Sequence, residues 1–327
     1  MLRKVKGYFM LFRILPVMVW SFTGTLTGTA LAIFEGHEIK WLAFLLVLTI
    51  SALIQGYPTH IVNEIFDWKS GADSYDLRVQ KSGGSKVLQA RLLSVADLWK
   101  AFIISHVALL VLLLACAKLI NAEIVLFFML PGYLSGLLYS LPPFRFSYRP
   151  FLGEWLGGFA GMFLLVLGSF YAQSLSIAPV AGLTAFGIGL IYIGIMIFFH
   201  YVDIEHDCRA LPKKNTTVVF LGLAGSRRYV YGCLVAAALI FLVATVKFHF
   251  FLIAFFALSL IILYGHHSAN LKHSPSLIKK GKIITYATLV CGLGFAAAAK
   301  PIMLLMAFPL AFGFWSHKKF GKLTGLN

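Results

Sequence analysis

Carboxylates are scarce in this 327-residue chain, with 12 Asp and Glu against 28 Lys and Arg, and charged residues make up only 12% of the whole. So little charge excludes a disordered chain, which stays solvated by combining high charge with low hydrophobicity. Cysteine is equally sparse. Of four, Cys116, Cys233 and Cys291 lie inside apolar stretches, so no disulfide framework is expected. Polar surface is what the chain lacks most: 60% of its residues are hydrophobic, more than a soluble domain of this size can bury. A net charge of +16 can signal nucleic-acid binding, but here the cations sit in short segments between apolar runs. No nucleic-acid partner is expected.

What is present is a series of apolar runs, at about 12–34, 41–66, 100–119, 122–142, 152–174, 178–205, 227–246, 248–266, 282–298 and 301–317. A membrane-spanning helix needs roughly 20 apolar residues, so the pattern predicts an all-α polytopic membrane bundle. Pro301 interrupts the last apolar stretch, which predicts nine to ten transmembrane helices, with the tail either spanning or interfacial. One integral membrane domain over 1–327 accounts for the whole chain. The first run contains Ala30-Leu31-Ala32, which mimics a signal cleavage site, yet it is too long for a signal h-region and reads as a retained span.

Alternate connections carry very different charge. The N-terminus and the segments after the even-numbered runs hold 24 Lys and Arg, whereas the other side holds only Lys40, Lys118, Lys247 and Lys300. The positive-inside rule then places both termini in the cytoplasm, together with the long loops at about 68–99 and 207–226. The expected location is the plasma membrane, with lipid as the surrounding partner.

Seven of the 12 acids fall in two short segments: Glu64, Asp67, Asp73 and Asp76 after the second run, and Asp203, Glu205 and Asp207 after the sixth. Acids beside a membrane helix cost a few kcal/mol unless paired, hydrated or metal-bound, so clustering them needs a cause. The segments share a pattern. His60-Ile-Val-Asn63-Glu-Ile-Phe-Asp67 matches His200-Tyr-Val-Asp203-Ile-Glu-His-Asp207 at an offset of 140 residues. On a helix the shared positions lie on one face, one turn apart. Two pseudo-equivalent halves are expected, with their acidic faces opposed across a central cavity.

Carboxylates and an amide carbonyl are hard oxygen ligands of the kind Mg²⁺ takes together with phosphate oxygens. Asn63, Asp67, Asp203 and Asp207, the matched positions of the two faces, are the candidate metal ligands. A zinc or di-iron site would need further His at close spacing, which neither segment has. Cations suited to a diphosphate stand nearby: Arg78, Lys81 and Lys86 in one loop, Arg209, Lys213 and Lys214 in the other, and Arg145 and Arg149 between them. The same cations also serve as topology markers. His60 and His200 read as packing residues, and Tyr139 reads as a diphosphate contact or as part of an interfacial aromatic belt.

These residues resemble a known family. Asn63-Glu-Ile-Phe-Asp67-Trp-Lys-Ser-Gly71-Ala-Asp73 and Gly83-Gly84-Ser85-Lys86-Val87-Leu88 resemble the first Asp-rich motif and the following glycine-rich segment of UbiA-type intramembrane prenyltransferases. The closest likeness is to the branch acting on 1,4-dihydroxy-2-naphthoate in menaquinone synthesis. Asp203-Ile-Glu-His-Asp207 resembles the second motif, and Tyr139-Ser-Leu-Pro142-Pro143 with Tyr148-Arg149-Pro-Phe-Leu-Gly153-Glu154 resembles the central loop. Three departures stand out: Phe199-His200 where the family usually has Asn, Leu211-Pro-Lys-Lys-Asn-Thr216 about two residues longer than the family's segment, and a tenth apolar run beyond the family's usual nine helices.

The resemblance implies a helical bundle around a central cavity, with Mg²⁺ as cofactor, a polyprenyl diphosphate as donor and an aromatic acid as acceptor. With it, Asp67, Asp203 and Asp207 are expected in catalysis, Asn63, Lys86, Tyr139, Arg149 and Lys213 in substrate binding, and Asp73, whose spacing matches that branch, joins the metal ligands. The alternatives are another acceptor (4-hydroxybenzoate, homogentisate or a glycerol lipid), a secondary transporter, or a binding protein that kept the fold without turnover. A transporter would want its acids near the bilayer midplane.

Overall fold

Backbone in hydrocarbon has to satisfy its own hydrogen bonds, which leaves long apolar stretches only the helix. The computed structural model describes residues 2–73 and 84–321, and no strand occurs among them. Asp76, Arg78, Lys81 and Gly83 lie outside the described residues. The helical rods are α1 (Leu2–Phe34), α2 (Trp41–Ser70), α3 (Val95–Leu119), α4 (Ala122–Leu138), α5 (Gly153–Ser174), α6 (Pro179–Arg209), α7 (Thr217–Lys247), α8 (Phe250–Ser268) and α9 (Ser274–Ala299). A 3₁₀ turn at Pro301–Met306 then leads into α10 (Ala307–Phe320).

Eight of these rods are long and apolar enough to cross a membrane. The count of nine to ten is not confirmed by length and composition among the described residues, where α4 ends at Leu138 rather than at 142 and α10 has only 14 residues. Residues 139–145 form turns instead, as the Pro142-Pro143 pair cannot continue a helix. Conversely, α2 and α6 run several residues past the ends of their apolar runs, to Ser70 and Arg209. Their final turns are polar because they build the site.

The bundle is centred on α6. Of its most apolar stretch, 78% is buried inside the protein, against 17% for peripheral α3, so α6 is apolar on all sides because protein surrounds it. It packs against α5, α7, α8 and α9, and its core joins that of α1. Small residues set the approach between rods, as is usual where lipid provides no hydrophobic drive. A Cβ at Gly28 of α1 would collide with the Val166 carbonyl of α5, so that contact admits only glycine. Alternate threonines on α1 return their hydroxyls to their own helix, Thr25 to Ser21 O at 2.7 Å and Thr27 to Thr23 O at 2.8 Å.

Acids outside the two motif segments mostly serve the periphery. Asp97 closes a capping box with Ser94 at the start of α3 and pairs with Lys4 at 2.7 Å. Glu35 meets His249 at 2.6 Å, and Glu123 accepts from Tyr171. Glu154 is the exception and belongs to the site.

Candidate active site

The ends of α2 and α6 meet at one end of the bundle, where Leu211 N donates to Ser70 O at 2.7 Å. Between them opens a cavity of about 710 Å³ lined by Asn63, Asp67, Tyr139, Asp203, Asp207 and Lys214 at one end. Further in, Phe128, Met129, Met162 and Leu165 make its wall apolar. Pro58 interrupts α2 just before the motif, where Gln55–Thr59 widen into a π turn. The helix resumes at His60 and carries Asn63 and Asp67 on one face, one turn apart.

Asp67 is 3% exposed and fully engaged. Its Oδ1 accepts from Tyr148 OH at 2.8 Å, while its Oδ2 accepts from Asn63 Nδ2 at 2.8 Å and from Lys214 Nζ at 2.8 Å. Asn63 also donates to Ser140 Oγ at 3.0 Å, and Tyr148 is fixed by Ser70 at 2.7 Å. The Lys214 ammonium lies 3.8 Å from Asp207 Oδ1 and therefore stands between the two motifs. Burial alone would lower the Lys214 pKa, but Asp67 and Asp207 more than offset it and hold the amine well above its ordinary value. Tyr148 is pushed up by burial and by the Asp67 charge, so it stays a donor.

Behind this wall, Glu64 (2% exposed) accepts from Ser85 N at 2.6 Å, which anchors the glycine-rich segment. Gly84 has φ +56°, and a Cβ there would collide with the Asp73 carboxylate. Both reasons demand glycine. Asp73 is buried, and its pKa is raised to about 8 by desolvation and by Glu64 and Asp67, against the opposing pull of Lys86 and Lys214.

The structure gathers Asn63, Asp67, Tyr139, Asp203 and Asp207 around one cavity. It sets Asp73 behind that cavity, and neither Lys86, Arg149 nor Lys213 lines it. Lys86 is 2% exposed, Arg149 donates to Pro143 O at 3.2 Å, and Lys213 faces outward while its neighbour Lys214 enters. Three residues that sequence reasoning missed hold the site in place: Tyr148, Ser70 and Glu154. For Glu154 a signal existed, since a lone carboxylate at the start of an apolar helix needs a partner.

Among the described residues, no group of three or more His, Cys, Asp and Glu is close enough to hold a metal ion unaided. The donor chemistry nevertheless fits Mg²⁺. Asp207 Oδ2 and Asp73 Oδ2 are buried without a hydrogen-bond partner, and a lysine ammonium, itself a cation, is what neutralises Asp67 and Asp207.

Comparison with known proteins identifies the family and the fold. The model of the UbiA prenyltransferase family matches residues 21–284. The 1,4-dihydroxy-2-naphthoate octaprenyltransferase of Escherichia coli (strain K12) is 28% identical over 231 residues, covering 67% of this chain and 70% of that protein. A UbiA homolog from Archaeoglobus fulgidus superposes with a TM-score of 0.65 at 19% identity, over 89% of this chain and 99% of its own. The same homolog bound to GPP and Mg²⁺ superposes with a TM-score of 0.64 at 20% identity, over the same shares of the two chains. With the family model spanning most of its length, this multi-pass membrane protein belongs to the UbiA prenyltransferase family and is a prenyltransferase.

Proposed function

We propose that this enzyme transfers a polyprenyl group from its allylic diphosphate to 1,4-dihydroxy-2-naphthoate, in the manner of menaquinone biosynthesis. The observation that carries the reading is the cavity itself, ionic at one end and apolar along the rest, which fits a diphosphate head and a prenyl tail. The Escherichia coli relative supports the naphthoate acceptor, and the Archaeoglobus fulgidus homolog bound to DMAPP and Mg²⁺ supports the donor.

Asn63, Asp67, Asp203 and Asp207 are the residues to hold Mg²⁺. When bound, the metal neutralises the diphosphate and makes it a better leaving group. Lys214 supplies positive charge to the same group, and Tyr148 and Asn63 orient Asp67. The apolar wall holds the tail and excludes water from the allylic carbon. Tyr139 lines the cavity, and an aromatic ring there would stabilise cationic charge developing at that carbon. The charge asymmetry of the loops supports a plasma-membrane protein with this end of the bundle in the cytoplasm.

The test is an assay of purified protein with Mg²⁺, geranyl diphosphate and a panel of acceptors: 1,4-dihydroxy-2-naphthoate, 4-hydroxybenzoate, homogentisate and a glycerol phosphate. A prenylated naphthoquinol with loss of CO₂ is expected. Transfer only to another acceptor overturns the acceptor assignment, and transfer to none overturns the function.

A pH dependence follows from Asp73. With its pKa at about 8, raised in part by the Asp67 charge, it carries a proton at neutral pH, and a cation held by Asp67 favours its ionised form through the charge alone. Mg²⁺ affinity therefore rises with pH up to about 8, by at most about tenfold per unit for one displaced proton. Asp73→Asn flattens this slope, as read by isothermal titration with Mg²⁺ and geranyl diphosphate between pH 6 and 8.5.

A further inference from the structure

Buried Glu154 and half-buried His200 form a pair that the diphosphate chemistry does not use. Glu154, 1% exposed at the start of α5, has Oε1 at 3.3 Å from His200 Nδ1. Its other oxygen accepts from Thr217 Oγ1 at 2.7 Å, and Thr217 in turn accepts from Phe151 N at 2.7 Å. Thr217 thus fixes one oxygen of the carboxylate, and the other stands at the edge of the imidazole, 3.3 Å from Nδ1. With Nδ1 turned to Glu154, His200 keeps Nε2 for the cavity, which it lines beside Met196 and Phe199.

His60, the equivalent residue of the first motif, has no such partner arrangement. Its Nδ1 faces the Phe12 carbonyl at 3.3 Å, so it is held by backbone rather than by a carboxylate. The two halves therefore differ at this position by one acid–base pair. Along α6, His200 precedes Asp203 by about 4.5 Å of helix rise, which sets it one turn deeper than the ionic cluster. It borders the region between the diphosphate end and the apolar wall, where an acceptor ring has to meet the allylic carbon.

We infer that His200, fixed by Glu154, is the base that takes the hydroxyl proton of the aromatic acceptor during prenyl transfer. This rests on the proposed function. As the C–O bond to diphosphate breaks with its electron pair on the diphosphate, the ring carbon bearing the carboxylate forms the new C–C bond. The hydroxyl proton passes to His200 Nε2 and leaves a ring ketone. Loss of CO₂ returns an electron pair to the ring as the phenolate, and His200 gives its proton back to that oxygen. Glu154 acts through the imidazole as a positioning residue: it selects the Nδ1–H tautomer and stabilises the imidazolium. The charges facing His200 are Glu154 from α5, Asp203 and Asp207 from its own helix and Lys214 from the α6–α7 connection.

The experiment compares wild type, His200→Asn, His200→Ala and Glu154→Gln with Mg²⁺, geranyl diphosphate and 1,4-dihydroxy-2-naphthoate. Asn keeps polarity and removes basicity, so kcat should fall by about 10²–10³-fold, within the range for loss of a general base. Binding of geranyl diphosphate with Mg²⁺, read by thermal shift, should stay within twofold of wild type. The acid limb of the kcat–pH profile should vanish in His200→Asn and shift in Glu154→Gln. Added imidazole should restore part of the activity of His200→Ala.

A His200→Asn enzyme within threefold of wild type, with its acid limb intact, overturns this inference alone. Should His200→Asn not fold, an unshifted profile in Glu154→Gln together with no imidazole rescue of His200→Ala overturns it equally. Absence of transfer by wild type overturns the acceptor assignment and this inference with it.

Discussion

Asp67→Asn lowers prenyl transfer by about 10³-fold, the upper end of the cost of losing one electrostatic contact to developing charge. The carboxylate is the convergence point of the site, taking hydrogen bonds from Tyr148 and Asn63 and the Lys214 ammonium at 2.8 Å each. The amide keeps the volume and one acceptor oxygen, so the packing of α2 survives while the negative charge is lost. Asp67→Ala is the harsher variant, since it also takes one of two hydrogen-bond partners from the Tyr148 hydroxyl and leaves Lys214 with Asp207, 3.8 Å away, as its carboxylate partner. Removing one partner of a buried pair typically costs about 3–5 kcal/mol. The Ala variant should therefore show a lowered Tm in detergent as well as lost turnover, and the Asn variant mainly lost turnover. Product formation from labelled geranyl diphosphate and thermal unfolding separate the two effects. Asp67→Asn turnover within tenfold of wild type would sink the assignment of this carboxylate.

Lys214→Met has the second large effect, and its cost in stability is larger without metal than with it. Without Mg²⁺, Asp67 and Asp207 lose the ammonium between them, and the metal-free protein should be destabilised by about 3–5 kcal/mol. Mg²⁺ binds the folded state and offsets that loss by mass action. The Tm of Lys214→Met should therefore rise with Mg²⁺ more steeply than that of wild type. Turnover at low geranyl diphosphate should fall, because a charge that meets the diphosphate is gone, with KM raised at least tenfold. Lys213→Met, one residue away and exposed, should leave Tm and KM within twofold. Equal behaviour of the two variants would contradict the role given to Lys214.

This pair of lysines also shows what cannot be read along the chain. Both sit in a segment longer than the family's, and composition treats them alike. Their difference is decided by the turn after α6, which is held by Leu211 N on Ser70 O and by Lys214 N on Asp207 O at 3.2 Å. Those are contacts between distant or folded-back segments, and no local propensity encodes which way the side chain then points. Glu154 is a similar case. Its partners His200 and Thr217 come from α6 and α7, at sequence separations that only folding brings together.

By itself the sequence determined the membrane class, through apolar runs that only helices can satisfy in lipid, and the two carboxylate segments, through a helical period shared at a fixed offset. Both signals are local and periodic, so they survive without coordinates. Tertiary structure alone decided what stabilises the polar turns that end α2 and α6, because Asp67 and Asp207 are neutralised there by a lysine from a third segment. It also decided that Asp73 stands behind Gly84 rather than in the cavity, and that one histidine of the matched pair meets a carboxylate while the other meets a backbone carbonyl. Electrostatic compensation between segments far apart in the chain is a property of the packed bundle, and it sets which of the legible residues share one site.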